Sequence, residues 1–201
     1  MLNGLETSVF HYTDPNSLRK KHGLTDEKII FHATPNFNLD PNHIKGGYYV
    51  NTLAEQLADQ NVKVIIAGPY PENIQVADNV ILLGSVSDQA VLAQYYSLAD
   101  VTLLASKKET FSMVTAESLA CGTPVVGFQA GGPEQIAIPE YSRFVPYGEL
   151  DSFINATKQM LSKKTNKTDI SEQGMEKYAK EKMTEDYYAV YLRLLKEKQG
   201  E

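Results

Sequence analysis

Residues 101–128 read VTLLASKKETFSMVTAESLACGTPVVGF, and the fold turns on how this stretch is parsed. VTLLAS (101–106) is a short apolar run rich in strand formers. FSMVTAESLAC (111–121) has helical spacing. TPVVGFQ (123–129) is a second apolar run. Neither run alternates with polar residues, so each reads as a strand buried on both faces, the habit of a parallel sheet. Strand, helix and strand then form one crossover unit, which in parallel sheets is right-handed.

The same reading extends in both directions. KIIFHAT (28–34), VKVIIAG (62–68), NVILLGSV (79–86) and SRFVPY (142–147) are further strands. GGYYVNTLAEQLADQ (46–60) places Tyr49, Leu53, Leu57 and Val50, Ala54, Ala58 at helical spacing. SDQAVLAQYYSLAD (87–100) is a helix with Ser87 as its expected N-cap. GPEQIAI (132–138) is a short helix with proline near its first turn. Segments 149–163, 171–182 and 184–198 are helical, and SKKTNKTDIS (162–171) reads as a solvated loop. Residues 1–27 are polar and irregular, with turn signals at Asn3-Gly4 and Asp14-Pro15 and a short helix at 17–22. The fold class is α/β, a doubly wound parallel sheet of Rossmann-like type. Ligands in such sheets sit beyond the carboxyl ends of strands, which selects the loops 34–47, 68–78, 84–87, 106–111 and 129–133.

Composition narrows the functions. The chain has 201 residues, enough to bury roughly 70% of its unfolded surface. Its net charge of −6 argues against a partner held through a nucleic-acid backbone. Cys121 is the one cysteine, so no internal disulfide forms, and it reads as a small packing residue. No apolar run reaches the ~18 residues of a membrane span. The start, MLNGLETSVF, has neither the basic residues nor the apolar core of a secretory signal. A cytoplasmic location is expected. The triplets at Asn155 and Asn166 match glycosylation sequons and are read as chance. His11, His22, His32 and His43 show no metal-ligand spacing, and no metal site is expected. His32, inside a strand, reads as a satisfied core residue. Neither a P-loop motif nor a G-x-G-x-x-G motif occurs.

The chemistry gathers in the opening stretch. Glu109 precedes the helix and Glu117 lies within it. If both were helical they would stand ~80° apart around the axis and ~12 Å along it, so they are not a close dyad. The amides of Thr110, Phe111, Ser112, Met113 and Val114 are free donors at a helix start, suited to a diphosphate. Two carboxylates at a strand end suit the hydroxyls of a sugar or ribose. A solvated helix with an incidental glutamate pair is the competing reading. In HIKGGYY, Lys45 precedes Gly46 and Gly47 at another helix start, where a point charge beside amides suits a phosphate; a solvated lysine competes. Gly131-Gly132 permits close backbone approach to a ligand, or a plain tight turn.

Taken together the segments resemble the C-terminal, donor-binding half of GT-B glycosyltransferases of family 4, the glycosyl transferases group 1. NGLETSVF (3–10) is similar to the segment that leads into that half, HIKGG to its lysine–glycine element, and residues 80–136 to its core signature with the E-x7-E pair. The resemblance implies a retaining transferase of hexosyltransferase type. Its donor is a nucleotide-diphosphate sugar of UDP or GDP type, and no cofactor is obligatory. Glu109 would be the catalytic residue beside the donor sugar, and Glu117 would bond the ribose. The amides around Phe111, Ser112 and Met113, with Lys45, would hold the diphosphate, and Ser85-Val86 would hold the base. Thr34 stands where an arginine is usual, with His43 or Asn42 as weak substitutes.

The resemblance also divides the chain into a lead-in (1–27), a nucleotide-sugar-binding domain (28–183) and a C-terminal helix (184–201). That helix would return toward an N-terminal domain supplying a glycan or lipid-linked acceptor, and the isolated half would transfer little. From its own pattern, with Tyr187, Val190, Tyr191 and Leu194 on one stripe and Tyr188, Leu192 and Leu195 on another, the helix is expected to pack on its own sheet. An exposed part would favour self-association. The family context implies cell-surface polysaccharide synthesis, with peripheral association of a full-length enzyme at the inner membrane face. A non-catalytic sugar-nucleotide module and a GT-B UDP-sugar epimerase are the alternatives.

Overall fold

The computed structural model describes residues 2–199. Met1, Gly200 and Glu201, which the expected segments 1–27 and 184–201 include, lie outside the described residues.

Six strands form one parallel sheet: β1 (Lys28–Ala33), β2 (Val62–Ala67), β3 (Val80–Gly84), β4 (Val101–Leu104), β5 (Val125–Phe128) and β6 (Ser142–Val145), in the spatial order β3-β2-β1-β4-β5-β6. Eight α-helices accompany them among the described residues, with a 3-10 turn at Pro139–Tyr141: α1 (Asn16–Lys21), α2 (Gly47–Gln56), α3 (Gln89–Leu98), α4 (Met113–Ala120), α5 (Pro133–Ile136), α6 (Leu150–Ser162), α7 (Lys167–Tyr178) and α8 (Lys180–Gln199). The order of strands reverses between β1 and β4. Such switch points leave a crevice at the carboxyl edge of the sheet.

Both faces of the sheet are covered. On one side Ile29, Phe31 and Ile65 pack with Tyr96 of α3, Leu119 of α4 and Ile170 and Tyr178 of α7. On the other, Ile30, Val64 and Ile66 pack with Val50 and Leu53 of α2 and Phe153 of α6. Neighbours in β1 therefore face opposite cores, the period-two alternation of a strand with two apolar faces. Each such fully buried side chain contributes roughly 1.5–3 kcal/mol.

Several local expectations are corrected. Helix α3 is capped by Asp88, not Ser87: its carboxylate accepts from the amides of Ala90 and Val91 at 2.8 and 3.5 Å. Helix α4 opens at Met113, with Ser112 as its cap, two residues later than the apolar pattern suggests. The lysine-rich segment 162–171 is not a solvated loop throughout. Helix α7 starts at Lys167, where Asn166 accepts from the amide of Thr168 at 3.1 Å. The Lys167 ammonium turns inward, donating to Ser97 O and Thr123 Oγ1 at 3.0 Å and also to Ala99 O. It thereby caps the end of α3, and burial lowers its pKa to about 8.

The expectation that the last helix packs on its own sheet also fails. Along α8 the large apolar side chains are exposed, Tyr188 by 64% and Tyr191 by 60%, with Leu192, Leu194 and Leu195 beside them. What ties α8 to the body is its first turn. Leu5 forms a parallel bridge with Ala179: the Leu5 amide donates to Tyr178 O at 2.7 Å, and the Lys180 amide to Leu5 O at 3.0 Å. Glu6 and Lys180 form an ion pair beside the bridge.

Candidate functional site

The crevice at the β1/β4 switch point opens into two adjoining cavities, of about 330 and 300 Å³. They share Ala33, Thr34 and Pro35 at the end of β1, and Met113 and Val114 at the start of α4. The first runs past Gly68 to Ser85, Val86, Tyr96 and Glu117. The second is lined by Asn3, Lys45, Ser106, Glu109, Thr110, Phe111 and Ser112.

The start of α4 forms the ridge between them. Ser112 takes a left-handed backbone, φ +79°, uncommon for a residue with a Cβ. Its hydroxyl accepts from the Thr115 amide at 3.2 Å and lies 3.0 Å from Thr115 Oγ1, which holds the strained turn. Among the described residues, the amides of Thr110, Phe111, Ser112, Met113 and Val114 have no protein acceptor. Five free donors with the positive end of a helix dipole can receive a multiply charged anion.

Beside the ridge, Lys45 Nζ donates to Glu109 Oε1 at 2.7 Å, both side chains about one-fifth exposed. Each partner is positioned by backbone. Glu109 bridges to Gly131: its amide donates to Ala130 O, and its carbonyl accepts from the Gly132 amide, both at 3.0 Å. A Cβ on Gly132 would stand 2.4 Å from Thr110 O, so only glycine lets the two loops close. Glu134 secures the second loop, accepting from the amides of Ala130 and Gly131 at 3.1 and 2.8 Å. On the other side Gly46, at φ +68°, lets the turn lie against β4, since a Cβ there would stand 2.1 Å from Ala105 O. The Lys107 amide donates to Ile44 O at 2.8 Å. Gly46 and Gly47 line neither cavity, and the Gly46 amide donates to His43 O at 3.0 Å.

Glu117 lies about one turn into α4, facing the first cavity and half-buried. Burial raises its pKa, while the Tyr96 hydroxyl, donating at 2.9 Å, works the other way. Burial also drives the Cys121 thiol far up, consistent with an inert packing residue. His32 is fully buried: Nδ1 lies 3.0 Å from Leu103 O, and Nε2 has no partner, so the core histidine is satisfied at one nitrogen only. Burial depresses its pKa to about 4. Thr34 sits at the junction of the cavities with its hydroxyl donating to Asn36 O at 3.2 Å. His43 lies on the outer side of the turn, 3.4 Å from Asn36 Nδ2, and lines neither cavity.

The crevice therefore brings together Lys45, Glu109, the amides 110–114, Glu117 and the Ser85-Val86 turn. Two participants carry no sequence signal for the site, and a third plays a different part from the one its motif suggests. Tyr96 reaches Glu117 across two helices, Asn3 enters from the lead-in, and the second glycine of Gly131-Gly132 admits Thr110 rather than an outside group. Among the described residues, no cluster of His, Cys, Asp or Glu could hold a metal ion, and no helix is long and apolar enough to cross a membrane.

Residues 37–163 match a family model described as glycosyl transferases group 1. The chain is 26% identical, over 97% of its length, to the N-acetyl-alpha-D-glucosaminyl L-malate synthase of Bacillus anthracis, covering 53% of that protein. It thus spans about half the length of the curated relative it matches over nearly its whole extent. Among solved structures, the sucrose-phosphate synthase from Thermosynechococcus elongatus superposes with a TM-score of 0.76 at 23% identity, covering 96% of this chain and 51% of that one. HepE of Anabaena, crystallised in complex with UDP and glucose, superposes with a TM-score of 0.72 at 19% identity, over 94% of this chain and 55% of that one. At these identities the structures establish a shared fold.

Proposed function

Because the chain belongs to the glycosyl transferases group 1 family, we propose that its crevice binds a nucleotide-diphosphate sugar and presents it for retaining transfer of a hexosyl group. The observation that carries this reading is the row of five unpartnered amides at the α4 start, set between Lys45–Glu109 on one side and Glu117 on the other. Glu117 and the Ser85-Val86 turn then face the nucleoside, and Glu109 faces the sugar. A UDP donor is favoured by the complex of HepE with UDP and glucose.

The roles follow from charge. In the transition state negative charge grows on the leaving diphosphate, where the α4 amides and Lys45 meet it. Glu109 accepts from sugar hydroxyls and holds the ring in place. Glu117 accepts from the ribose. The acceptor, a glycan or lipid-linked group, belongs to the additional length that the relatives possess, and the chain by itself binds the donor while transferring little. Synthesis of a cell-surface polysaccharide at the cytoplasmic face of a membrane fits such an acceptor.

The test is calorimetry with UDP, GDP and ADP, with Glu117→Ala as control. Saturable binding to one nucleotide, weakened about tenfold by the substitution, supports the donor reading. Absence of binding to all three at millimolar concentration overturns it. Donor binding left unchanged by Glu109→Gln would favour a module that holds the sugar nucleotide without transferring it.

A further inference from the structure

The second cavity has one lining residue that comes from outside the sheet and its crossovers. Asn3 stands with Lys45, Glu109 and Thr110 around that space. The backbone beyond it is clamped. Leu5 is buried and bridges Ala179, and the Gly4 amide donates to Met183 Sδ at 3.1 Å. A Cβ on Gly4 would stand 2.5 Å from Lys180 Cα, so residue 4 has to be glycine for the lead-in to lie this close to α8. The residue before that glycine is thereby delivered to the rim of the cavity.

The chemistry of Asn3 differs from that of its neighbours. Lys45 and the α4 amides only donate, and Glu109 when ionised only accepts. A carboxamide does both without charge, which uses both of its functions on a pair of sugar hydroxyls, whereas a diphosphate would use only its N–H donors and gain no countercharge from it. Its place agrees. The nucleoside end of the crevice is the first cavity, with Ser85, Val86 and Glu117. Asn3 lines only the second, on the far side of the α4 ridge.

We infer that Asn3 is a specificity-determining residue that reads hydroxyls of the donor sugar, an inference that rests on the donor reading above. It adds to Glu109 a second sugar contact, carried on the segment that holds the base of α8 rather than on the sheet.

The experiment titrates UDP, GDP and ADP, and then UDP-glucose, GDP-mannose and ADP-glucose, into the wild-type chain and into Asn3→Ala. Asn3 is exposed and its side chain makes no hydrogen bond among the described residues, so the variant is expected to fold; circular dichroism and the melting midpoint check this. The expected result is about a tenfold loss of affinity for the preferred sugar nucleotide, with its parent nucleotide changed less than about twofold. Equal effects on both, or no effect on either, with wild-type nucleotide binding intact, overturn the role of Asn3 and leave the donor site standing. If the wild type binds no nucleotide, the donor reading falls and takes this inference with it.

Discussion

Lys45 and Glu109, 64 residues apart in the chain, form a 2.7 Å ion pair inside the second cavity, and Lys45 is the one cation among the residues lining it. An arriving diphosphate has to compete with Glu109 for that ammonium. When it succeeds, the carboxylate is released at the position proposed for the sugar. On the donor reading proposed above, the pair links the filling of the anion subsite to the availability of the hydroxyl acceptor.

Replacing Glu109 with glutamine removes the competitor. UDP alone is expected to bind about threefold to tenfold more tightly, since a half-buried pair of this kind holds its partner by roughly 1 kcal/mol. UDP-glucose is expected to lose its advantage over UDP. Calorimetry with both ligands reads the two effects separately. Weaker UDP binding in the variant would mean that Glu109 helps to place Lys45 rather than competing for it.

Glu117 carries a sign that can be checked against pH. Burial raises its folded pKa above the ordinary carboxylate value, so the ionised form is disfavoured in the fold. Below pH 4.5 the group is protonated in both states and makes no difference; as pH rises through its raised value, stability is lost. Glu117→Gln keeps an acceptor for the Tyr96 hydroxyl and removes the charge. The variant is expected to melt higher than the wild type at pH 8 and to match it at pH 4. Its UDP affinity is expected to fall at the same time, a trade between stability and binding.

His32 has the opposite sign. Its folded pKa of about 4 lies below the ordinary 6.5, so its contribution is whole above pH 6.5 and is lost as pH falls toward 4. About 3 kcal/mol of stability is at stake across that interval. Urea unfolding at pH 7 and pH 4.5 is expected to show the loss, and His32→Asn, which keeps an amide near Leu103 O, is expected to show less of it.

Gly132→Ala tests the loop closure that holds Glu109. The added methyl would meet Thr110 O at 2.4 Å and force the 106–111 and 129–133 loops apart. A stability loss of about 1–3 kcal/mol is expected, with weaker binding of UDP-glucose. Gly23→Ala is the control at an open position of positive φ, where no atom lies within 4 Å of the added Cβ. It is expected to lose about 1 kcal/mol from backbone strain and to bind as the wild type does.

The sheet was legible because short β-branched runs such as VKVIIA and KIIFHA have one stable use, burial between two helical layers. The order of those strands agrees with a chain that alternates strand and helix. The amide row was legible too, because a strand followed by a helix must leave its first amides unpaired. What pattern could not supply were meetings between distant residues. Nothing near Lys45 announces Glu109, and nothing near Glu117 announces Tyr96. Lys167 misled for a physical reason: a lysine among polar residues is usually solvated, yet here two carbonyl oxygens at the end of α3 and the hydroxyl of Thr123 draw its ammonium inward. In α8 the periodicity marked apolar stripes correctly, but a stripe does not state what covers it, and the chain's own sheet does not.

The bridge between Leu5 and Ala179 has a consequence for the order in which the crevice can be built during translation. The first cavity needs nothing beyond Glu117, so its walls are all synthesised once that residue has left the ribosome. The loop bearing Glu109 must wait for Gly131, and Asn3 must wait for residue 179 to emerge before its clamp exists. Asn3 is thus made before the rest of the crevice and is the last part of it to reach its place. A nascent chain exposed only to about residue 170 is expected to have the first cavity and the Glu109 loop in place and to lack the clamp that delivers Asn3.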